Sequence, residues 1–257
     1  MHPALYYSLL LIAGFASGFI DSIAGGGGLI SLPALLFLFA GQNPLHATST
    51  NKLAATFGSF TSASRYLASK NVEPIAWPMA AIAFVGSAAG ASLAFLLKPG
   101  QLNLLITTAL IAVGCFVAFR KDFGQLRRHG TPHALQYLAA LAFGLVIGFY
   151  DGLIGPGTGT FLAFVFILVL GMDFLNATGS TKLVNFATNV AALLTYLLRG
   201  VPIHYVEGCV MGSAILAGAY MGSGMAVRIG PKFIRPLFVA VAIVMAAKLA
   251  FDLVHAH

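Results

Sequence analysis

The sequence contains very little charge. Only 8% of its 257 residues are Asp, Glu, Lys or Arg, whereas 59% are hydrophobic. Soluble domains carry about 25% charged residues, so this chain has too little polar surface to coat a globule. The shortage argues against a soluble enzyme, a nucleic-acid-binding domain and a disordered chain. The composition is typical of an integral membrane protein, which is embedded in the lipid bilayer.

Acidic residues and cysteines are both scarce. Seven acidic residues stand against fourteen Lys and Arg, which gives a net charge of +7. In a membrane protein this excess indicates basic cytoplasmic loops rather than a nucleic-acid surface. The two cysteines, Cys115 and Cys209, lie inside apolar runs and lack metal-ligand spacing, so we expect buried free thiols. We expect no metal site, no catalytic residues and no cofactor.

Long apolar segments follow one another along the chain. They predict an all-α polytopic membrane protein with about eight to ten membrane segments. The segments lie near residues 4–24, 29–40, 47–69, 75–97, 100–120, 134–154, 159–171, 178–199, 203–228 and 233–254. Two of them, 29–40 and 159–171, are too short to span a bilayer alone. We interpret these two as broken or re-entrant helices.

The two halves of the sequence share a pattern at an offset of 130 residues. G-F-x-D-x-x-x-G-x-G occurs at 18–27 and 148–157, and A-T-x-x-x-K-L occurs at 47–53 and 177–183. Internal duplication is typical of secondary transporters. The sequence therefore predicts a first transmembrane repeat over 1–120, a basic cytoplasmic linker over 121–133 and a second repeat over 134–257.

The number of crossings decides whether the repeats are parallel or inverted. If each short segment crosses the membrane, each half has five crossings and the halves are inverted. If each is re-entrant, four crossings remain and the halves are parallel. With the basic linker inside, inversion places Arg228, Lys232 and Arg235 inside and Arg199 outside, and the parallel arrangement does the opposite. Inversion therefore places three of these four basic residues on the cytoplasmic side, where basic residues are expected, and so the sequence favours inverted repeats.

Two aspartates stand inside apolar runs at matching positions of the two halves. Asp21 and Asp151 each precede a glycine cluster, and a charge at membrane depth costs on the order of 3 kcal/mol. Each must have a cationic partner, be protonated or contact water. Lys52 and Lys182 are the natural partners, so we predict charge pairing or proton coupling for the aspartates. A buried ion pair that only holds helices together is the alternative.

Each lysine follows a polar cluster that we expect at a helix N-terminus. Free N–H groups and Ser or Thr caps at such a terminus favour a small oxyanion. The glycine runs 25–28 and 155–159 predict unwound backbone along a substrate cavity, with a tight packing turn as the alternative. The predicted substrate-binding residues are Lys52, Lys182, Asn51, Thr50, Thr48, Thr178, Ser180, Thr181, Asn185, Asn189, Gly27, Gly28, Gly157 and Thr158.

The paired motifs resemble those of the TauE/SafE family of sulfite exporters, also called TSUP permeases. Residues 18–33 and 47–53 match the first copy of the family motif, and residues 148–159 and 177–183 match the second. The similarity runs over essentially the whole chain and is greatest to the subgroup described as probable membrane transporter proteins. Gly155-Pro156 replaces the double glycine of the first copy and Thr181 replaces Asn, so the two half-sites are not equivalent.

The resemblance implies a multi-pass permease of the plasma (inner) membrane of a prokaryote. Its expected substrates are small sulfur-containing anions such as sulfite and sulfonates, with protons as a candidate coupling ion. A passive anion channel is the main alternative, and an intramembrane enzyme is a weaker one. The sequence leaves the substrate, the coupling ion and a homo-oligomeric state open.

Overall fold

The computed structural model describes residues 2–119 and 133–229, and all regular structure within these ranges is helical. The all-α fold class is therefore confirmed. The predicted basic linker, except for His133, and the predicted last segment at 233–254 lie outside the described residues.

The described helices follow the predicted apolar segments to within a few residues. They are α1 Pro3–Ala24, α2 Gly28–Leu38, α3 Pro44–Ala68, α4 Ala76–Leu96, α5 Pro99–Phe119, α6 Ala134–Leu153, α7 Thr158–Phe164 with a π-helical continuation Val165–Val169, α8 Phe174–Leu198 and α9 Tyr205–Ile229. The short segments α2 and α7 are separate helices, as their length and the glycines before them indicate.

Four of these helices are long and apolar enough to cross a membrane, by length and composition. The spans are Pro3–Ile23, Ala76–Leu96, Pro99–Phe116 and Ala134–Leu153. Large apolar side chains on their outer faces, including Leu104 and Leu138, are exposed and suited to contact with lipid. The chain is thus a polytopic helical membrane protein, and the total of eight to ten membrane segments stays a prediction.

Helices of opposite halves pack closely in two pairs, α1 with α9 and α4 with α6. Gly18 of α1 lies against the backbone of Ile215 in α9, and Gly148 of α6 lies against the backbone of Ala83 in α4. A Cβ atom at either glycine would clash with the neighbouring carbonyl. Small residues permit this close approach of helices in membranes. Each half therefore completes its packing with a helix from the other half.

Helices α3 and α8 cross the centre of the protein in opposite directions. Lys52 near the start of α3 contacts Asn189 in α8, and the rings of Phe60 and Phe186 lie 5.6 Å apart further along. From the first contact to the second, the residue number rises in α3 and falls in α8, so the two helices are antiparallel. Because these helices carry the two A-T-x-x-x-K-L motifs, their antiparallel packing is the arrangement that inverted halves require. The repeat, its orientation and its boundaries stay predictions.

The two glycine-rich breaks meet in the middle of the protein. Gly25 and Gly155 have φ angles of 76° and 93°, a region that favours glycine because a Cβ atom crowds the backbone there. The backbone of Gly25 lies directly against Gly159, with no room for a side chain between them. The ends of α1 and α6 and the starts of α2 and α7 therefore converge on one central region.

The expectation of two buried thiols is wrong, since Cys115 and Cys209 are both exposed. They lie on faces of α5 and α9 that no helix within residues 2–119 and 133–229 covers. A thiol behaves as a small apolar group, so a lipid-facing position suits it as well as a protein core does.

Candidate functional site

Two buried ion pairs connect the halves of the protein. Lys52 Nζ of α3 lies 2.8 Å from Asp151 Oδ2 of α6, and Lys182 Nζ of α8 lies 2.9 Å from Asp21 Oδ2 of α1. The lysine side chains are 2% and 0% exposed, and the aspartates 3% and 17%. A charge buried this deeply requires a partner, because removal from water costs several kcal/mol. Each lysine finds that partner in the opposite half.

The second oxygen of each aspartate accepts a hydrogen bond from the start of a short helix. Asp21 Oδ1 accepts from the backbone N–H of Gly27 at 3.1 Å. Asp151 Oδ1 accepts from the hydroxyl of Thr158 at 2.7 Å. Gly27 is the N-cap of α2 and Thr158 is the first residue of α7. Each carboxylate therefore joins the end of one helix to the start of the next across a glycine break.

A small cavity of about 40 Å³ lies between these elements. One water molecule needs about 10–15 Å³ by this measure, so the cavity has room for a few waters or one small ion. Ten of the predicted site residues line it: Asp21, Gly27, Gly28, Asn51, Lys52, Asp151, Gly157, Thr158, Asn185 and Asn189. The structure therefore brings together residues from six helices and both halves.

Two asparagine amides in the cavity wall have no hydrogen-bond partner in the described part of the chain. Asn51 of α3 and Asn185 of α8 both line the cavity, and each residue is 8% exposed. The Oδ1 atom of Asn51 is fully buried and unpartnered. Leaving a buried polar group unsatisfied costs about 1–3 kcal/mol, so these amides favour a polar occupant. Asn189 is different, because it accepts from Lys52 Nζ at 3.3 Å.

Lys182 does not reach the cavity wall, although the sequence predicted it as an anion ligand. Its amine is fully buried and faces Asp21. The hydroxyls of Thr48 and Thr178 donate to the carbonyls of Pro44 and Phe174, one turn earlier in their helices. These three residues do not line the cavity.

The remaining predicted hydroxyls are also directed elsewhere. Thr50 Oγ1 accepts from the backbone N–H of His204 at 3.1 Å, and Ser180 Oγ accepts from that of Glu73 at 3.0 Å. Both bonds hold a loop of the opposite half against the centre. The Thr181 hydroxyl is buried without a partner among the described residues, but it does not line the cavity.

The expectation that helix N-termini lie at Thr48–Asn51 and Thr178–Thr181 is wrong. Helix α3 begins at Pro44 and is capped by Asn43, whose side chain accepts from Leu45 N at 3.0 Å. Helix α8 begins at Phe174 and is capped by Asp173. The polar clusters thus lie in the second and third turns, where backbone N–H groups are already bonded within the helix. The helix starts that line the cavity belong to α2 and α7.

Two serines line the cavity that sequence reasoning missed. Ser17 and Ser31 both donate to the carbonyl of Gly27, at 2.9 and 3.2 Å. Serine is common in membrane helices, so neither stands out alone. The available signal is spacing: Ser17 lies four residues before Asp21 on the same face of α1, and Ser31 lies four residues after Gly27.

Comparison with known proteins identifies the family. The family profile "Sulfite exporter TauE/SafE" matches residues 10–249. "Probable membrane transporter protein ORF9" of Sinorhizobium sp is 38% identical over 251 residues, covering 96% of this chain and 94% of the relative. "Probable membrane transporter protein YfcA" of Escherichia coli K12 is 38% identical over 254 residues, covering 98% and 92%.

A third relative, "Probable membrane transporter protein" of Haemophilus influenzae, is 34% identical over 251 residues, covering 95% of this chain and 94% of the relative. No solved structure matches the chain at a significant level. The bacterial relatives and the apolar helices together make it a multi-pass bacterial membrane protein. The chain belongs to the sulfite exporter TauE/SafE family of membrane transporters.

Proposed function

We propose that the protein is a secondary transporter of small sulfur-containing oxyanions, such as sulfite and short sulfonates, and that the central cavity is its binding site. The observation that carries this proposal is the meeting of one buried cation, Lys52, with the amide side chains of Asn51 and Asn185 at a cavity of about 40 Å³. A single small anion fits that space, whereas a larger organic substrate requires the helices to move apart.

The cavity wall supplies donors on several sides of a bound anion. Lys52 provides a positive charge, and the amides of Asn51 and Asn185 provide N–H groups from α3 and α8. Hydrogen bonds to a charged group contribute about 1.5–3 kcal/mol each, about twice as much as neutral ones. A pyramidal or tetrahedral anion has three oxygens that can accept from these separate groups. Backbone near Gly28 adds the positive end of α2, since the aligned peptide dipoles favour an anion there.

Proton coupling follows from competition for the lysine. Lys52 already contacts a carboxylate at 2.8 Å, so an incoming anion must replace that contact. A proton on an aspartate removes its negative charge and weakens this competition. We therefore propose that anion movement is accompanied by proton movement through one of the two aspartates.

A passive anion channel is the second candidate, and the burial of the ion pairs argues against it. Lys52 and Asp151 are only 2% and 3% exposed, so this ion pair does not line a wide open pore. A carrier that opens to one side at a time has no such pore. The naming of the relatives as membrane transporters favours transport over an enzymatic reaction.

Uptake into proteoliposomes tests the site assignment. We expect wild-type protein to accumulate radiolabelled sulfite, with competition by methanesulfonate, and Lys52→Ala to abolish uptake. Lys98→Ala is the matched control, because Lys98 is exposed in the turn between α4 and α5. Equal uptake by Lys52→Ala and wild type would show that the anion does not bind at Lys52.

Imposed gradients distinguish the carrier from the channel. A proton-coupled carrier accumulates methanesulfonate, which keeps its charge, when the pH gradient is inward and loses this accumulation when a protonophore is added. A passive channel follows the membrane potential and is indifferent to the pH gradient. Potential-driven flux without proton dependence would reject the coupled mechanism.

A further inference from the structure

The two aspartates differ in the donor that satisfies their second oxygen. Asp21 Oδ1 faces the backbone N–H of Gly27, which can only donate a hydrogen bond. Asp151 Oδ1 faces the hydroxyl of Thr158, which can donate or accept. A carboxylate suits both partners, but a protonated carboxyl group can give its hydrogen only to the hydroxyl.

The Thr158 hydroxyl has a second acceptor at the same distance. Its Oγ1 atom lies 2.7 Å from Asp151 Oδ1 and 2.7 Å from the carbonyl oxygen of Gly155. A hydroxyl has one hydrogen, so it can donate fully to only one of these at a time. When Asp151 is ionised, Thr158 donates to it. When Asp151 is protonated, Thr158 donates to Gly155 and accepts from the carboxyl group.

The first half has no such hydroxyl at the matching position. The residue 130 positions before Thr158 is Gly28, which has no side chain. The nearby hydroxyls of Ser17 and Ser31 both donate to Gly27 O rather than to Asp21. Among the described residues, no hydroxyl is therefore bonded to Asp21 in the way that Thr158 is bonded to Asp151.

The two lysines differ in their access to the cavity. Lys52 lines the cavity, whereas Lys182 is fully buried and does not. A proton on Asp151 would leave the charge of Lys52 facing a space that an anion can occupy. A proton on Asp21 would leave the charge of Lys182 buried where no anion can reach it, which is strongly unfavourable.

We propose that Asp151 is the proton-coupling carboxylate and that Lys182–Asp21 is a permanent ion pair that positions the break between α1 and α2. In this exchange a proton binds Asp151 Oδ1 and is donated to the Thr158 hydroxyl, and the hydrogen bond from Lys52 Nζ passes from Asp151 Oδ2 to the anion. One proton enters with one monovalent anion, so the step is electroneutral. The identity of the anion rests on the proposed function, but the assignment of the proton does not.

Other titratable groups surround Asp151. Tyr150 on the same helix and Tyr196 of α8 both lie within electrostatic range of its carboxylate, and Asp21 lines the same cavity. The Tyr196 hydroxyl donates to Gly152 O and the Tyr150 hydroxyl donates to Pro156 O, so neither bonds the carboxylate directly. Lys52 and Thr158 are the groups that contact it.

Infrared difference spectroscopy tests the proton site without any substrate. Purified full-length protein is titrated with acid, and the carbonyl stretching band of a protonated buried carboxyl group is followed. We expect the band in wild type and in the paired neutral variant Asp21→Asn/Lys182→Met, and its loss in Asp151→Asn. Loss of the band in the paired variant, or its persistence in Asp151→Asn, would overturn the assignment.

Binding of methanesulfonate at a series of pH values tests the coupling. This anion keeps its charge across the range, so any pH dependence belongs to the protein. Where Asp151 is ionised, uptake of one proton per anion raises the wild-type Kd about tenfold per pH unit. Asp151→Asn has no titrating carboxyl group at position 151, so its Kd for methanesulfonate should not change with pH. The paired variant Asp21→Asn/Lys182→Met should keep the wild-type slope.

Thr158 provides a finer test. Thr158→Ser keeps the hydroxyl, so the pH dependence of the methanesulfonate Kd should keep both its slope and the pH of its midpoint. Thr158→Val removes the hydroxyl and should shift the pH of that midpoint. An unchanged midpoint in Thr158→Val would refute the role of the hydroxyl. If wild type binds neither sulfite nor methanesulfonate, the proposed function fails, and the infrared titration still decides between Asp151 and Asp21.

Discussion

Breaking the Lys182–Asp21 pair should destabilise the protein, and the structure predicts which single change costs more. Asp21→Asn leaves the ammonium group of Lys182, which is 0% exposed, without a counter-charge. Lys182→Met leaves the carboxylate of Asp21, which is 17% exposed and lines the cavity, where water can reach it. The stranded lysine is therefore the more costly of the two.

Removing one partner of a buried ion pair costs about 3–5 kcal/mol. We expect about 5 kcal/mol for Asp21→Asn, at the upper end of that range, because Lys182 cannot be hydrated. We expect about 3 kcal/mol for Lys182→Met, which is roughly a 150-fold change in the unfolding equilibrium. The double variant Asp21→Asn/Lys182→Met removes both charges, so it should recover most of the loss.

The assay is the free energy of unfolding in detergent micelles, measured for both single variants and the double variant. Lys182→Met/Asp151→Asn is the matched control, because Asp151 pairs with Lys52 and its removal strands a second charge. The control should therefore be less stable than Lys182→Met alone. Rescue of Lys182→Met by Asp151→Asn rather than by Asp21→Asn would refute the crossed pairing.

Three further predictions concern packing, hydrogen bonding and capping. Gly148→Val should lower the yield of monodisperse protein in size-exclusion chromatography, because its side chain would clash with the Ala83 carbonyl, whereas Gly100→Ala, in open space, should not. Tyr196→Phe should lower the free energy of unfolding by about 1 kcal/mol, since the hydroxyl donates to Gly152 O at 3.1 Å, and an unchanged value would contradict that bond. Asn43→Ala should lower the free energy of unfolding by about 1 kcal/mol, because it removes the N-cap of α3. Thr48→Ala should have a smaller effect. A larger loss of stability in Thr48→Ala than in Asn43→Ala would place the start of α3 at the polar cluster.

The helices could be predicted from the sequence because their apolar runs are long and glycine interrupts them at the right places. The four buried charges also stood out, since charge at membrane depth is rare. The sequence also indicates that the lysines pair with the aspartates, but it does not indicate which lysine contacts which aspartate. Lys52 and Asp151 are 99 residues apart in sequence, and Lys182 and Asp21 are 161 apart. Only the packing of one half against the other brings these partners together.

The finer errors have local causes. Helices α3 and α8 begin at Pro44 and Phe174, about one turn before the apolar pattern becomes clear, so the sequence suggests helix starts at the polar clusters rather than before them. The matching motifs also suggest equivalent roles for the two lysines, but Lys52 lines the cavity and Lys182 does not. The unequal roles that we infer for the two pairs depend on Thr158, whose importance is visible only in the distances around it.

Location of a bound anion tests the central claim most directly. Selenite, the heavier homologue of sulfite, can be located by the anomalous signal of selenium in crystals of the wild-type protein. We expect one selenium site in the cavity, with an oxygen of the anion about 3 Å from Lys52 Nζ and others near the amides of Asn51 and Asn185. A selenium site beside Lys182, or on the outer surface with the cavity unoccupied, would contradict the account.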